Sequence, residues 1–183
     1  MQTYITELFR ITVLYIPYDG GSNKMKMRPY RSADLEQIMQ IADKAWKPIR
    51  KMSREALGDV ISDILNPEGD DVSKGLQVKA QIESLQYSIA VCEHDSVPVG
   101  FITYRADGVM GQICNNGALP DTGLKGIGQT MYAYVLAEFR KAGVKVVRVT
   151  TGLDEAHSPA RRAYERAGFR KHLDSTTYYM ELE

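Results

Sequence analysis

The spacing of hydrophobic and polar positions changes several times along the chain. Residues 26–31 (KMRPYR) alternate as a first strand. Ser32-Ala33-Asp34 then offers an N-cap before Leu35, Ile38, Ile41, Ala45 and Trp46, whose helical spacing predicts a helix over about 33–47. Pro48 interrupts that pattern, and a second helical stretch, REALGDVISDIL at 54–65, comes after it. NPEGDD is a loop, and a third helix spans about 74–86. YSIAVCE and PVGFITYRA flank the turn His94-Asp95-Ser96 and read as a hairpin over 87–105. MGQICNNGAL is a further strand in which Asn115-Asn116-Gly117 tolerate a bulge. Next, Ile127, Met131, Val135, Leu136 and Phe139 mark one apolar helix face, stopped at Ala142-Gly143. VKVVRVTT is predicted as a buried strand, SPARRAYERAG as a short helix with Ser158 as N-cap and Pro159 at its first position, and TTYYMEL as a closing strand. Strands and helices around one mixed sheet make an α/β or α+β domain.

Residues 1–24 differ from the rest of the chain. TELFRITVLYIPY is dense in β-branched and aromatic residues and ends in the turn cluster DGGSN. The segment reads as an N-terminal extension, an added strand or an oligomer contact, ahead of a single domain over 25–183. Ile11 to Ile16 is too short an apolar run for a secretory leader. No run approaches the roughly 20 apolar residues of a membrane helix, so no membrane partner is expected.

With 44% hydrophobic and 25% charged residues, the chain has the balance of a folded globular protein. Its formal net charge is zero, which removes any global field toward nucleic acid or an anionic membrane. Cys92 and Cys114 fall in expected strands and read as reduced core thiols of a cytoplasmic protein. His94, His157 and His172 are scattered and the two cysteines lack ligand spacing, so no metal is expected. Charge is uneven locally, because the basic residues between Phe139 and Lys171 face only Asp154, Glu155 and Glu165. That cluster is either a set of solvated helix faces or a contribution to holding an anionic ligand.

PDTGLKGIGQTMY, Pro120 to Tyr132, places Gly123, Gly126 and Gly128 between a strand and a helix. Such a turn aims free backbone N–H groups and the positive end of a helix dipole at one point, which is how a phosphate is cradled, and Lys125 adds a cation. The same glycines also suit a plain flexible turn. Spacing excludes two nucleotide loops. Gly126-Ile127-Gly128 is followed by Met131 where a dinucleotide fingerprint needs glycine, and no Gly-Lys-Ser/Thr closes the loop.

Gly123-Leu124-Lys125-Gly126-Ile127-Gly128 resembles the pyrophosphate loop of the GNAT superfamily, the acyl-CoA-dependent N-acetyltransferases. One strand later, HSPARRAYERAGF is similar to that family's second segment, in register at Ala160, Tyr164, Gly168 and Phe169. GQICNNGAL resembles its bulged central strand and MRPYRSADLEQI its opening strand and first helix, so the resemblance covers 25–183. It implies a strongly twisted mixed sheet of about six to seven strands flanked by about four helices. It also implies acetyl-CoA as cosubstrate, a small-molecule or peptide amine as acceptor, and a homodimer as a common assembly.

The implied cofactor contacts are Ala118, Leu119, Gly123, Leu124, Lys125, Gly126, Ile127, Gly128, Gln129, Thr130, His157 and Ala160, with backbone amides around 117–119 polarising the thioester. Tyr164 is implied as general acid for the leaving thiolate; as a plain aromatic it would pack its helix on the sheet. Trp46, Arg50, Tyr87 and Asp154 are implied at the acceptor pocket. Two positions depart from the pattern: Gly123 stands where the family carries Arg or Gln, and His157 where Asn is commoner. Gln112, which cannot take a proton, holds the place of a frequent Glu, so no general base is assigned. The alternative reading is a non-catalytic acyl-CoA-binding module on the same fold.

Overall fold

The computed structural model describes residues 25–182, and the expectation for 1–24 lies outside the described residues. Among the described residues one five-stranded sheet runs in chain order: β1 (Met25–Pro29), β2 (Ser88–His94), β3 (Val97–Asp107), β4 (Met110–Ala118) and β5 (Val146–Arg148). β1 to β4 are antiparallel neighbours, and β5 joins β4 in parallel. Four α-helices cover the sheet: α1 (Leu35–Leu65), α2 (Ser73–Glu83), α3 (Ile127–Lys141) and α4 (Ser158–Ala167).

Side-chain alternation in β2 and β3 divides the core in two. Val91 and Phe101 turn to one face and pack with Ile38, Ile41 and Ala42 of α1 and Val78 and Ile82 of α2. Ala90, Cys92, Ile102 and Tyr104 turn to the other, where Ile127, Met131, Val135 and Phe139 of α3 and Tyr164 of α4 close over them. Gly100 lets α3 start close to the sheet, because a Cβ there would stand 2.8 Å from Ile127 Cγ2. The hairpin turns through Asp95 and Ser96, both at positive φ (49° and 67°), as a two-residue primed turn requires.

Several expectations are corrected. The helix does not stop at Pro48; α1 runs through it and breaks at Gly58 (φ 78°, ψ 173°). Proline's fixed φ is itself helical, whereas the Gly58 backbone is open essentially to glycine alone. Arg54 clamps that break, pairing with Asp59 and Asp63 beyond it at 2.8 Å each and with Asp70 at 2.6 Å.

TTYYMEL forms no strand, since residues 168–182 carry no regular structure and Tyr178 and Leu182 are 89% and 82% exposed. VKVVRVTT shortens to β5 and is not buried, with Val146 53% exposed. Alternation becomes a strand only where a neighbour supplies ladder hydrogen bonds, so among the described residues the sheet has five strands, slightly fewer than the six or seven expected. Finally, Ser158 is not the N-cap of α4 but its first residue; Asp154 caps the short 3₁₀ turn Glu155–His157 before it, accepting the His157 N–H at 3.1 Å.

Candidate active site

β4 is bulged. Ile102 pairs with Asn116 and Tyr104 with Ile113, so Cys114 and Asn115 together oppose Thr103. Fully buried Thr103 secures the bulge: its hydroxyl oxygen accepts the Asn115 N–H at 2.8 Å and its proton goes to Gln81 Oε1 at 2.8 Å. The consequence is local and large. Consecutive asparagines face opposite sides, Asn115 toward α2 through Lys74 and Gln81, Asn116 toward α3 and α4 through Tyr132 and Tyr164.

β4 and β5 part at Gln112 opposite Arg148, while β4 stays on β3 as far as Ala118. Among the described residues the outer edge of β4 from 113 to 118 is therefore left without a paired strand. Leu119 donates its N–H to Val99 O at 2.8 Å, and by ladder alternation Gly117 also points at β3. Of the amides around 117–119, the one turned to the open edge is Ala118's. Gln112 ties two cations, its Oε1 accepting from Arg105 at 3.1 Å and Arg148 at 3.0 Å.

A hydrogen-bonded chain lies beside this edge. Tyr132 donates to Asn116 Oδ1 at 2.8 Å, and Asn116 Nδ2 donates to Tyr164 Oη at 3.2 Å. The Tyr164 oxygen accepts there, and its hydroxyl is also hydrogen-bonded with Tyr132. Burial pushes the Tyr164 phenol up, with Asn116 and Tyr132 pulling the other way, so the group is protonated at neutral pH. Tyr164 also packs against Tyr132 (centroids 5.4 Å apart) and Phe169 (6.0 Å), so it has the aromatic packing role as well. Sequence reasoning did not single out Asn116 or Tyr132 as site residues; Tyr132 was hidden within the apolar face of its helix, and Asn116 was read only as bulge material.

The glycine loop lies on the same face as α3. Asp121, Gly123 and Gly126 are left-handed (φ 58°, 71° and 86°), and Gly126 caps α3 with no side-chain cap. The N–H groups of Ile127, Gly128 and Gln129 thus have no partner within the helix. A Cβ on Gly123 or Gly126 would meet nothing within 4 Å, so this backbone stands open on that side. Lys125 is exposed beside it.

Several side chains from the implied cofactor set are engaged internally. Ile127 is buried, Gln129 Nε2 donates to Ala163 O at 2.9 Å, Thr130 Oγ1 to Gly126 O at 3.1 Å, and Leu124 N to Thr122 Oγ1 at 3.2 Å. Ala160 packs on the α3–α4 core. His157 Nδ1 lies 2.6 Å from Asp154 Oδ2. Burial raises the Asp154 carboxyl, but its bonds with His157 bring it below the ordinary range. These two residues satisfy each other.

Trp46 and Tyr87 lie toward the face that α2 covers, each beside Lys74. Asn115 opens a pocket of about 400 Å³ lined also by Lys74, Gln77, Gln81, Ser84, Gln86 and Tyr87. The Lys74 ammonium sits 4.5 Å from the Trp46 ring centroid and donates to Gln77 and Asn115 at 2.6 Å each. The Arg50 charge acts on Lys74, and Tyr87 lines the same pocket as Lys74, so Trp46, Arg50 and Tyr87 are each related to Lys74. Lys74, Gln77 and Gln81 were missed, although their polar stripe at helical spacing on α2 was a readable signal. Among the described residues no cluster of His, Cys, Asp and Glu is placed to hold a metal, and no described helix is long and apolar enough to cross a membrane.

Residues 54–169 match the acetyltransferase (GNAT) family. None of the curated proteins compared with the sequence matches it. Among solved structures, the chain is similar to the PaiA N-acetyltransferase of Thermoplasma acidophilum in complex with coenzyme A (19% identity, 80% of this chain, 89% of that one, TM-score 0.57). It is also similar to a GNAT family acetyltransferase of Brucella melitensis in complex with acetyl-CoA (21%, 82%, 85%, TM-score 0.56). A third is an aminoglycoside acetyltransferase from an uncultured soil metagenomic sample in complex with sisomicin (13%, 87%, 97%, TM-score 0.56). At these identities the likeness is one of fold. The matched stretch itself carries the bulged β4, the left-handed glycine loop and Tyr164: the chain belongs to the GNAT family and is an acyl-CoA-dependent acetyltransferase.

Proposed function

We propose that the protein transfers the acetyl group of acetyl-CoA to a primary amine of a small molecule or peptide by direct attack. The N–H groups opening α3, with Lys125, hold the pyrophosphate, and the Ala118 N–H on the unpaired edge of β4 polarises the thioester carbonyl. The amine nitrogen forms the new C–N bond and the C–S bond breaks. Tyr164 supplies the proton to the departing thiolate, and the proton lost by the amine goes to solvent.

The observation that carries this reading is the Tyr132–Asn116–Tyr164 chain, which holds the Tyr164 phenol beside the place where β4 and β5 separate. Thiol release from acetyl-CoA over a panel of amines tests it, with the Tyr164→Phe variant alongside. If none of the amines elicits thiol release while CoA still binds, a binding module is favoured. Free Cys92 and Cys114 support a cytoplasmic setting. A homodimer is the assembly common in the family, and sedimentation of the full chain tests it here.

A further inference from the structure

We infer that the pocket beside Asn115 is the acceptor site and that it selects an amine carrying a carboxylate, which Lys74 binds with Arg50 close by. This rests on the transferase reading above.

The lining of the pocket is amide, hydroxyl and ammonium, and includes no carboxylate: Lys74, Gln77, Gln81, Ser84, Gln86, Tyr87 and Asn115. Lys74 is 7% exposed. Its hydrogen bonds to Gln77 and Asn115 go to neutral amide oxygens and use two of the three ammonium N–H groups. Burial, and secondarily the Arg50 charge, push it down to about 8, which leaves it mostly protonated at pH 7. Arg50 keeps a buried Nε with no partner. Asp43, on the same helix as Arg50, gives Oδ1 to the Gly75 N–H at 2.6 Å, and burial pushes its carboxyl up. Lys74 is held among neutral groups with no carboxylate acting on it, whereas the Arg50 charge also acts on Asp43; a buried ammonium without a counterion is costly and favours an anion.

Placement supplies the second argument. Asn115 lines this pocket and Asn116, the next residue, holds Tyr164 on the other face. Consecutive Cα atoms are about 3.8 Å apart. The pocket and the open edge of β4 thus share neighbouring residues of one strand, and we place the amine of an amino acid anchored at Lys74 toward that edge. A polycation such as spermidine or an aminoglycoside would meet like charge.

Thiol release is measured with the common amino acids, each beside its own carboxamide, and with spermidine. The expected result is kcat/KM at least about tenfold higher for acid than for amide, the ratio set by a charge-assisted hydrogen bond. In Lys74→Met the KM for the acid rises toward that for the amide while CoA affinity is unmoved; Arg50→Met, on a different helix, acts in the same direction. Spermidine or the amides matching the acids, or a preference that survives in both variants, overturns the inference. If no amine releases thiol, the transferase reading fails and the pocket is tested separately by calorimetric titration of acid and amide into CoA-saturated protein. Equal binding of the two then sinks the inference, and tighter binding of the acid that disappears in Lys74→Met upholds it.

Discussion

The side-chain amide of Asn116 donates to the phenol oxygen of Tyr164 at 3.2 Å, across the seam between β4 and α4. The contact depends on the bulge, because the two-against-one pairing at Thr103 turns Asn115 toward α2 and Asn116 toward α4. In this contact Tyr164 is the acceptor.

Replacing Tyr164 by Phe removes the proton donor and keeps the ring. Turnover should fall by about a hundredfold or more, the usual worth of a general acid, with CoA affinity unchanged. Burial raises this phenol, so it stays protonated up to its ordinary value of about 10 and beyond. A wild-type rate that declines from pH 8, with the decline absent in Tyr164→Phe, would contradict the assignment.

Asn116 acts through Tyr164. Asn116→Leu should lower kcat, and in the Tyr164→Phe background the same change should add little, because partners in one network couple by about 0.5–3 kcal/mol. Steady-state rates of the two single variants and the double variant decide this; strict additivity would mean that Asn116 acts alone.

Thr103→Val is nearly isosteric but leaves the Asn115 N–H and Gln81 Oε1 without the hydroxyl between them. The expected loss is about 1–3 kcal/mol in urea unfolding, the cost of stranding a buried polar group. Loss of the bulge's anchor should also reduce kcat, since Asn116 takes its direction from the bulge.

The left-handed backbone of the loop bears on CoA binding. Gly126→Ala at φ 86° should cost about 1–2 kcal/mol of stability and weaken CoA in calorimetry. Gly123 stands at φ 71°, so installing the family's Arg there strains the backbone and should not improve stability. Lys125→Ala should weaken CoA by about twofold to fivefold, less at high salt, as an exposed charge does.

Asp34 ties the first strand to the first helix. It accepts both Arg28 guanidinium nitrogens (2.7 and 2.8 Å) and the Arg31 N–H (2.8 Å), and Arg28 Nε reaches Glu93 at 2.6 Å. The Arg28 hydrogen bonds hold its carboxyl below the ordinary range, against the effect of burial. The unfolded chain, with Asp near 3.9, therefore binds the proton first, so this stability is present above about pH 4 and is lost as pH falls through the folded value. Asp34→Ala leaves Arg28 buried without this partner and should cost about 3–5 kcal/mol in urea at pH 7, a difference that narrows in acid.

Where a signal is carried by one element's own residues, the sequence by itself determined the outcome. The apolar spacing of Ile38, Ile41 and Ala42 and of Ile127, Met131 and Val135 set helices and their buried faces, because a 3.6-residue period aligns those side chains whatever lies opposite. The glycines of the loop and the register of Tyr164 on its helix were equally local. Pro48 misled because a proline ring tolerates helical φ, and TTYYMEL misled because alternation without a paired edge is not a strand. Only the tertiary structure decided which asparagine meets Tyr164 and that Lys74 lies buried over Trp46. Both facts join groups from different segments. Their distances depend on how β4, α2 and α4 pack together, and a one-residue bulge is enough to exchange the faces that two neighbouring side chains occupy.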